Sequence, residues 1–209
     1  MLLLAGSAFG QNAYYDRGQS GFFFGGSVFS GDDYIGLGAG AAYTISGSFS
    51  LGVSVARATY DDDEYGDDFK ETDIAPFVSA LLLRPEESMP IGIEATATYS
   101  RATVSGDVLD AFGWDMSRNV LIGRGDIFAE IEALPTARIL PFVGITYMFG
   151  NAEIEDSFGN SEEEDISEVG FTIGASFQLN KKFVIVPSMT NINDNTSFSI
   201  SFNAVIPST

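Results

Sequence analysis

The segment VGFTIGASFQL, Val169 to Leu179, sets Val169, Phe171, Ile173, Ala175, Phe177 and Leu179 against Gly170, Thr172, Gly174, Ser176 and Gln178. Successive side chains of a strand point to opposite faces, so this is a strand with one apolar face and one small, polar face. Comparable alternation runs through residues 21–30, 33–45, 48–60, 90–101, 119–134, 139–150, 182–190 and 197–206. Residues 74–84 are apolar on both faces and their parity is unclear. A period of two repeated in this way, with no convincing helical stretch, restricts the chain to an all-β architecture of ten strands, with eight as the alternative count. The length of 209 residues suits a single all-β domain.

Two folds could use such strands. A soluble barrel of the lipocalin type would turn the apolar face inward, around an apolar ligand, and solvate the other. A membrane barrel would turn the apolar face to lipid and the small polar face to its lumen. Solvated strand faces need long charged side chains to stay soluble and unaggregated. Here the second face carries Gly, Ser, Thr and Ala, and all three lysines, Lys70, Lys181 and Lys182, fall in or beside connections. No stretch approaches the ~20 apolar residues of a spanning helix. The reading is therefore a closed, up-and-down antiparallel transmembrane β-barrel. Phe171 and Ile173 face lipid; Thr172 and Gly174 face the lumen.

The connections carry a second signal. Residues 46–48, 85–89, 135–137 and 180–181 are short and hold Gly, Pro, Asn and Ser, as turn chemistry demands. Between them come long polar connections at 61–73, 105–118 and 151–168. Short links on one side and long ones on the other are the asymmetry of an outer-membrane barrel, whose turns are periplasmic and whose loops are extracellular. An even strand number puts both termini on the periplasmic side. Tyr43, Phe49 and Phe177 near the lower strand ends, and Tyr60, Tyr99, Tyr147 and Phe149 near the upper ones, sit where interfacial aromatics belong.

The formal charge of −19 is concentrated in two segments. Residues 61–73 hold eight acids and one Lys, and 153–168 hold eight acids and no base, so the rest of the chain carries a net charge of only −4. Such segments repel polyanions and exclude nucleic acid as a partner. Asp61, Asp63, Asp67 and Asp68 offer the oxygen donors that Ca²⁺ takes, without the spacing of an EF-hand loop. A solvated charge run is the simpler reading. Trp114, the only tryptophan, reads as a loop-packing or interfacial residue, with contact to a partner as the alternative.

The N-terminus, MLLLAGSAFGQNAYYDRG, begins with an apolar run and has Ala8 and Gly10 spaced as at a signal-peptidase site. Residues 1–10 are thus read as the remnant of an export signal, 11–20 as a periplasmic segment, and 21–209 as the barrel.

The strand pattern, together with the phrase ILPFVGITYMFG at 139–150, resembles the small outer-membrane β-barrel proteins of Gram-negative bacteria, the porin-like group, over about residues 20–206. The resemblance implies outer-membrane lipid and lipopolysaccharide as surroundings and insertion by the barrel-assembly machinery. Chains of that group commonly finish on an aromatic residue read by this machinery, whereas this one ends NAVIPST. Phe202 or Phe198 would have to serve instead.

Chemistry is constrained by absence. There is no His and no Cys, which removes the usual neutral-pH base and the thiol nucleophile. The enzymatic members of the group depend on a catalytic His, so a non-enzymatic role without a cofactor is expected. That role would be structural, surface interaction, or limited passage of solutes and cations. If Leu121, Ile127, Ala129 and Ile131 face lipid, then Arg124, Asp126, Glu130 and Glu132 face inward. Glu94 on the preceding strand faces the same way, and counting back from the 105–118 connection puts it opposite Glu130. Charges in a narrow lumen must be paired or hydrated. Either Arg124 and Asp126 belong to a structural plug, or the acidic excess lines a small cation-preferring passage.

Overall fold

Antiparallel pairing joins β1 (Gly21–Ser30) to β2 (Tyr34–Ile45), and so on through β3 (Phe49–Asp62), β4 (Asp67–Leu83) and β5 (Ile91–Ser105) to β6 (Asp115–Ala129). β6 and β7 (Ile131–Leu134) are two lengths of one wall position, broken at Glu130, and both pair with β8 (Ala137–Glu155). β9 (Ser161–Leu179), β10 (Phe183–Ile192) and β11 (Asn195–Pro207) follow, and β11 pairs back onto β1. Ten wall positions thus close on themselves and leave no sheet edge. The computed structural model describes residues 12–62, 67–86, 88–134 and 137–208.

Three of the links turn through two consecutive residues at positive φ: Ser46-Gly47, Asn180-Lys181 and Asn193-Asp194. That conformation matches the right-handed twist of the flanking strands, and Gly, Asn and Asp tolerate it best.

The outer face carries the large apolar side chains. Phe22, Leu51, Ile127, Ile145, Ile173 and Ile200 are all exposed, in a belt that follows the barrel round. The inner face holds the core, in one cluster near the lower end around Tyr14, Phe23, Phe128 and Phe142, and others higher up around Phe29 and around Val120 and Met148. An outside more apolar than the inside suits a hydrocarbon surrounding. Thr172 is 1% exposed while its neighbours Phe171 and Ile173 are about half exposed, as the alternation requires.

Two expectations are corrected. The segments 61–73 and 151–168 are largely strand: β3 reaches Asp62, β4 starts at Asp67, β8 reaches Glu155 and β9 starts at Ser161. The belt ends on the outward pair Val55 and Ile74, and the next outward pair is Arg57 and Thr72. Above that level the ladder continues with polar side chains on both faces, because backbone pairing does not require an apolar face. The 105–118 connection also contains a short helix, α1 (Asp107–Phe112), where no helix was expected.

Candidate functional site: an occupied lower lumen under an acidic rim

The lower lumen is occupied by the chain's own N-terminal segment. Asn12–Tyr14 forms a single 3₁₀ turn inside the barrel, and Asn12 and Tyr15 are fully buried. Residues 11–20 were read as a periplasmic segment; of these, Asn12–Tyr15 are buried inside the barrel. Asn12 is the anchor. Its Nδ2 donates to Ser79 Oγ (2.9 Å) and Glu94 Oε1 (3.2 Å), and its Oδ1 accepts from Ser50 Oγ (2.7 Å). The Tyr14 hydroxyl meets Ser176 Oγ at 2.7 Å, and its ring stacks on Phe23 at 5.9 Å. Tyr15 donates to the Phe22 carbonyl (2.6 Å), and Arg84 Nη1 donates to the Tyr15 carbonyl (2.9 Å). Ser50, Ser79 and Ser176 on the inner face are therefore partners for a buried segment.

Above the turn sit the charges. Glu94 is fully buried and lies across the ladder from Asp126, not from Glu130 as counting suggested. The difference arises because the connection between β5 and β6 is shorter than assumed, which shifts the register. Asp126 is held by Arg124, whose Nη2 and Nε donate to it at 2.8 and 2.9 Å, and Arg124 also stands over the Phe142 ring. Glu94 Oε1 accepts from Asn12, while Oε2 has no hydrogen-bond partner among the described residues.

Lower down, Glu130 accepts from Arg138 Nη1 (3.0 Å), and Arg138 Nε donates to Gln178 (2.9 Å). Glu130 is half-buried. Glu132 is exposed, beyond the break in the wall position, and is not a lumen charge. The inward parity of the 119–134 stretch ends at Glu130, whose N–H donates to the Pro90 carbonyl (2.9 Å) and interrupts the ladder.

A further charged set lies in what the sequence suggested were connections. Glu71 and Asp73 on β4 point inward, with Arg118 of β6 donating to Glu71 at 2.5 Å. Tyr60 donates to Glu71 Oε2 (3.1 Å) and Ser100 to Asp73 Oδ1 (2.9 Å). The signal for it was available: Glu71 and Asp73 share parity with Ala75, Phe77 and Ser79. Between the two charged sets, Val120, Ile122, Met148 and Ile192 form a buried apolar cluster on the inner face of β6, β8 and β10. Nothing comparable marked Asn12, Tyr14 and Tyr15, since an aromatic pair ahead of a first strand has no periodicity to expose it.

Of the four acids considered for Ca²⁺, Asp61 pairs with Asp68 across the β3–β4 ladder and Asp67 with Asp62, while Asp63 lies outside the described residues. Among the described residues no group of three or more acids, His or Cys is arranged to hold a metal ion.

No protein-family model matches the chain and no curated protein matches it in sequence. Among solved structures, the translocator domain of the autotransporter NalP from Neisseria meningitidis superposes with a TM-score of 0.51 at 9% identity, covering 92% of this chain and 89% of that one. The fold is that of an outer-membrane β-barrel. Other solved structures of this kind match at lower scores. A major outer membrane protein from Thermus thermophilus has a TM-score of 0.42 at 12% identity, covering 90% and 99% of the two chains. Neisserial surface protein A has 0.38 at 12%, covering 91% and 97%. The outer-membrane barrel fold accounts for the outward apolar belt. Its counterpart, a soluble barrel with an apolar ligand inside, is not favoured: the interior is filled by Tyr14, Phe23, Phe77, Phe128 and Phe142.

Proposed function

We propose that this chain is a non-enzymatic barrel of the bacterial outer membrane that does not conduct, and that it acts through the acidic end it turns away from the cell. The observation that carries this reading is the occupied lower lumen. The N-terminal turn packs into it below, and the Val120, Ile122, Met148 and Ile192 cluster narrows it above from the β6, β8 and β10 side. The Arg124–Asp126, Arg118–Glu71 and Arg138–Glu130 pairs serve to hold the wall together, since buried charges without partners or water are destabilising.

What remains available for contact is the upper end. There β8 and β9 run past the apolar belt as a polar ribbon bearing Glu153, Glu155, Glu162, Glu163, Glu164 and Asp165. The links at 46–48 and 180–182 and the outer ends of β1 and β11, Gly21 and Pro207, lie at the opposite end, read as periplasmic, and lipopolysaccharide surrounds the belt on the outer leaflet. Divalent cations at this acidic end, and insertion by the barrel-assembly machinery, belong to the same reading.

Single-channel recording in planar bilayers tests it. The purified, heat-modifiable protein is expected to give no conductance steps. Regular cation-selective steps that fall on Glu94→Gln would overturn the non-conducting reading and restore the passage.

A further inference from the structure

The outermost feature of the upper end is aromatic, not acidic. α1 ends at Gly113, which has φ +65° and ψ +40°. The N–H of Gly113 donates to the Asp110 carbonyl (3.2 Å) and that of Trp114 to the Leu109 carbonyl (2.9 Å). This left-handed stop reverses the chain and folds Trp114 back onto the helix end. Trp114 and Phe112 stack there with ring centroids 5.2 Å apart and 26° between planes. A Cβ built on Gly113 would come within 3.0 Å of Ser157 Cβ, so the helix end abuts the tip of the β8–β9 hairpin. The next residue of that tip, Phe158, is 90% exposed. Phe112 and Trp114 are 62% and 43% exposed. Three large aromatic side chains thus stand in the open at the point farthest from the belt, where no hydrocarbon surrounds them.

Their setting is mainly acidic, with Lys70, across the ladder from Ser105, an exposed base on the strand beside α1. Asp110 is exposed on α1, and Asp115 stands directly across the ladder from Glu155, a like-charge pair that a cation would relieve. Residues 106–114 and 151–168 contain no Lys or Arg, and Arg118 below them is buried against Glu71. Open aromatic faces attract guanidinium and ammonium groups, and flanking carboxylates pair with the same groups.

We propose that Phe112, Trp114 and Phe158, with Asp110, Asp115 and Glu155, form a docking surface for an arginine-rich, basic segment of another protein. Arginine is preferred over lysine because its planar head stacks on the rings while its donors reach the carboxylates. The surface does not fit insertion into a second membrane, because the same carboxylates would meet anionic headgroups. This inference rests on the reading that the upper end faces outward, and it supplies the partner chemistry for that end.

The test uses the whole chain folded in detergent micelles. Trp114 is the only tryptophan, so its emission reports the surface directly. Octa-arginine should shift or quench that emission saturably, and octa-lysine should bind more weakly. Phe112→Ser and Asp110→Asn with Asp115→Asn should each weaken octa-arginine by about fivefold to tenfold, with heat-modifiable mobility retained. Peptide binding that leaves Trp114 emission unchanged and ignores Phe112→Ser would overturn the surface, because the acidic ribbon alone would then hold the peptide. An emission change with neutral phosphatidylcholine vesicles and none with peptide would overturn it in favour of a lipid surface. Labelling of Phe158→Cys by a membrane-impermeant maleimide on intact cells separates the two readings. A protected Cys in a protein that still binds octa-arginine in micelles supports the surface and overturns its outward placement.

Discussion

Arg124 and Asp126 are two residues apart on one strand, and both turn inward. Their side chains are 12% and 1% exposed, so each is the other's substitute for water. Arg124→Ala removes one partner and leaves a buried carboxylate beside Glu94. Unfolding by urea from lipid vesicles should show a loss of about 3–5 kcal/mol. Replacing both by leucine should recover most of it, since a packed apolar pair removes the orphaned charge. At the opposite extreme of exposure, the Asp156 carboxylate accepts from the Phe158 and Asn160 N–H groups and from Asn160 Nδ2, all at 2.8–2.9 Å. The hydrogen bonds from Asn160 hold this carboxyl below its usual range, with that from Phe158 adding to them. A depressed carboxyl contributes its stabilisation above the ordinary carboxylate range and loses it as pH falls toward the lowered value. The hairpin tip should therefore keep its form at neutral pH and loosen only in acid below that range, visible in the Phe158 and Asn160 amide resonances. Asp156→Ala should loosen the tip at every pH.

At the scale of elements, the apolar belt and the ladder have different extents, and this decides which substitutions matter. Ile173 lies within the belt on β9 and Ser167 lies above it on the same face. Ile173→Arg should cost about 2–4 kcal/mol in folding titrations into vesicles, and Ser167→Arg close to nothing. Thr172→Arg, which a hydrated lumen would have accommodated, should also be damaging, because Thr172 is buried and bonded to Thr190 at 3.0 Å. Nine of the ten wall positions were legible in the hydrophobic alternation, because each strand has to turn one face to lipid along the length of the belt; β4, apolar on both faces at 74–84, showed as a strand without a parity. The upper reaches of β3, β4, β8 and β9 were not, because nothing obliges a polar ladder to alternate. α1 escaped notice for a related reason: six residues with a single buried anchor, Leu109, make no periodic stripe. The inward faces of Glu94, Arg124 and Asp126 followed from parity alone. Their cross-strand register did not, since register depends on connection length, and the polar connections were the part without periodicity.

For the whole molecule, the segment ahead of β1 is bonded at once to β3, β4, β5 and β9, through Ser50, Ser79, Glu94 and Ser176. Those four strands acquire their mutual positions only when the wall is closed. The first described residues of the chain are therefore the last to find their place. Contacts absent from a transition state change the rate of leaving the native state and not the rate of reaching it. Asn12→Ala, which breaks the anchor without touching the wall, should leave the time course of heat-modifiable folding unchanged and speed its loss in denaturant. In kinetic terms the turn at Asn12–Tyr15 is a latch: it does not help the barrel to form, and it sets how long the barrel lasts.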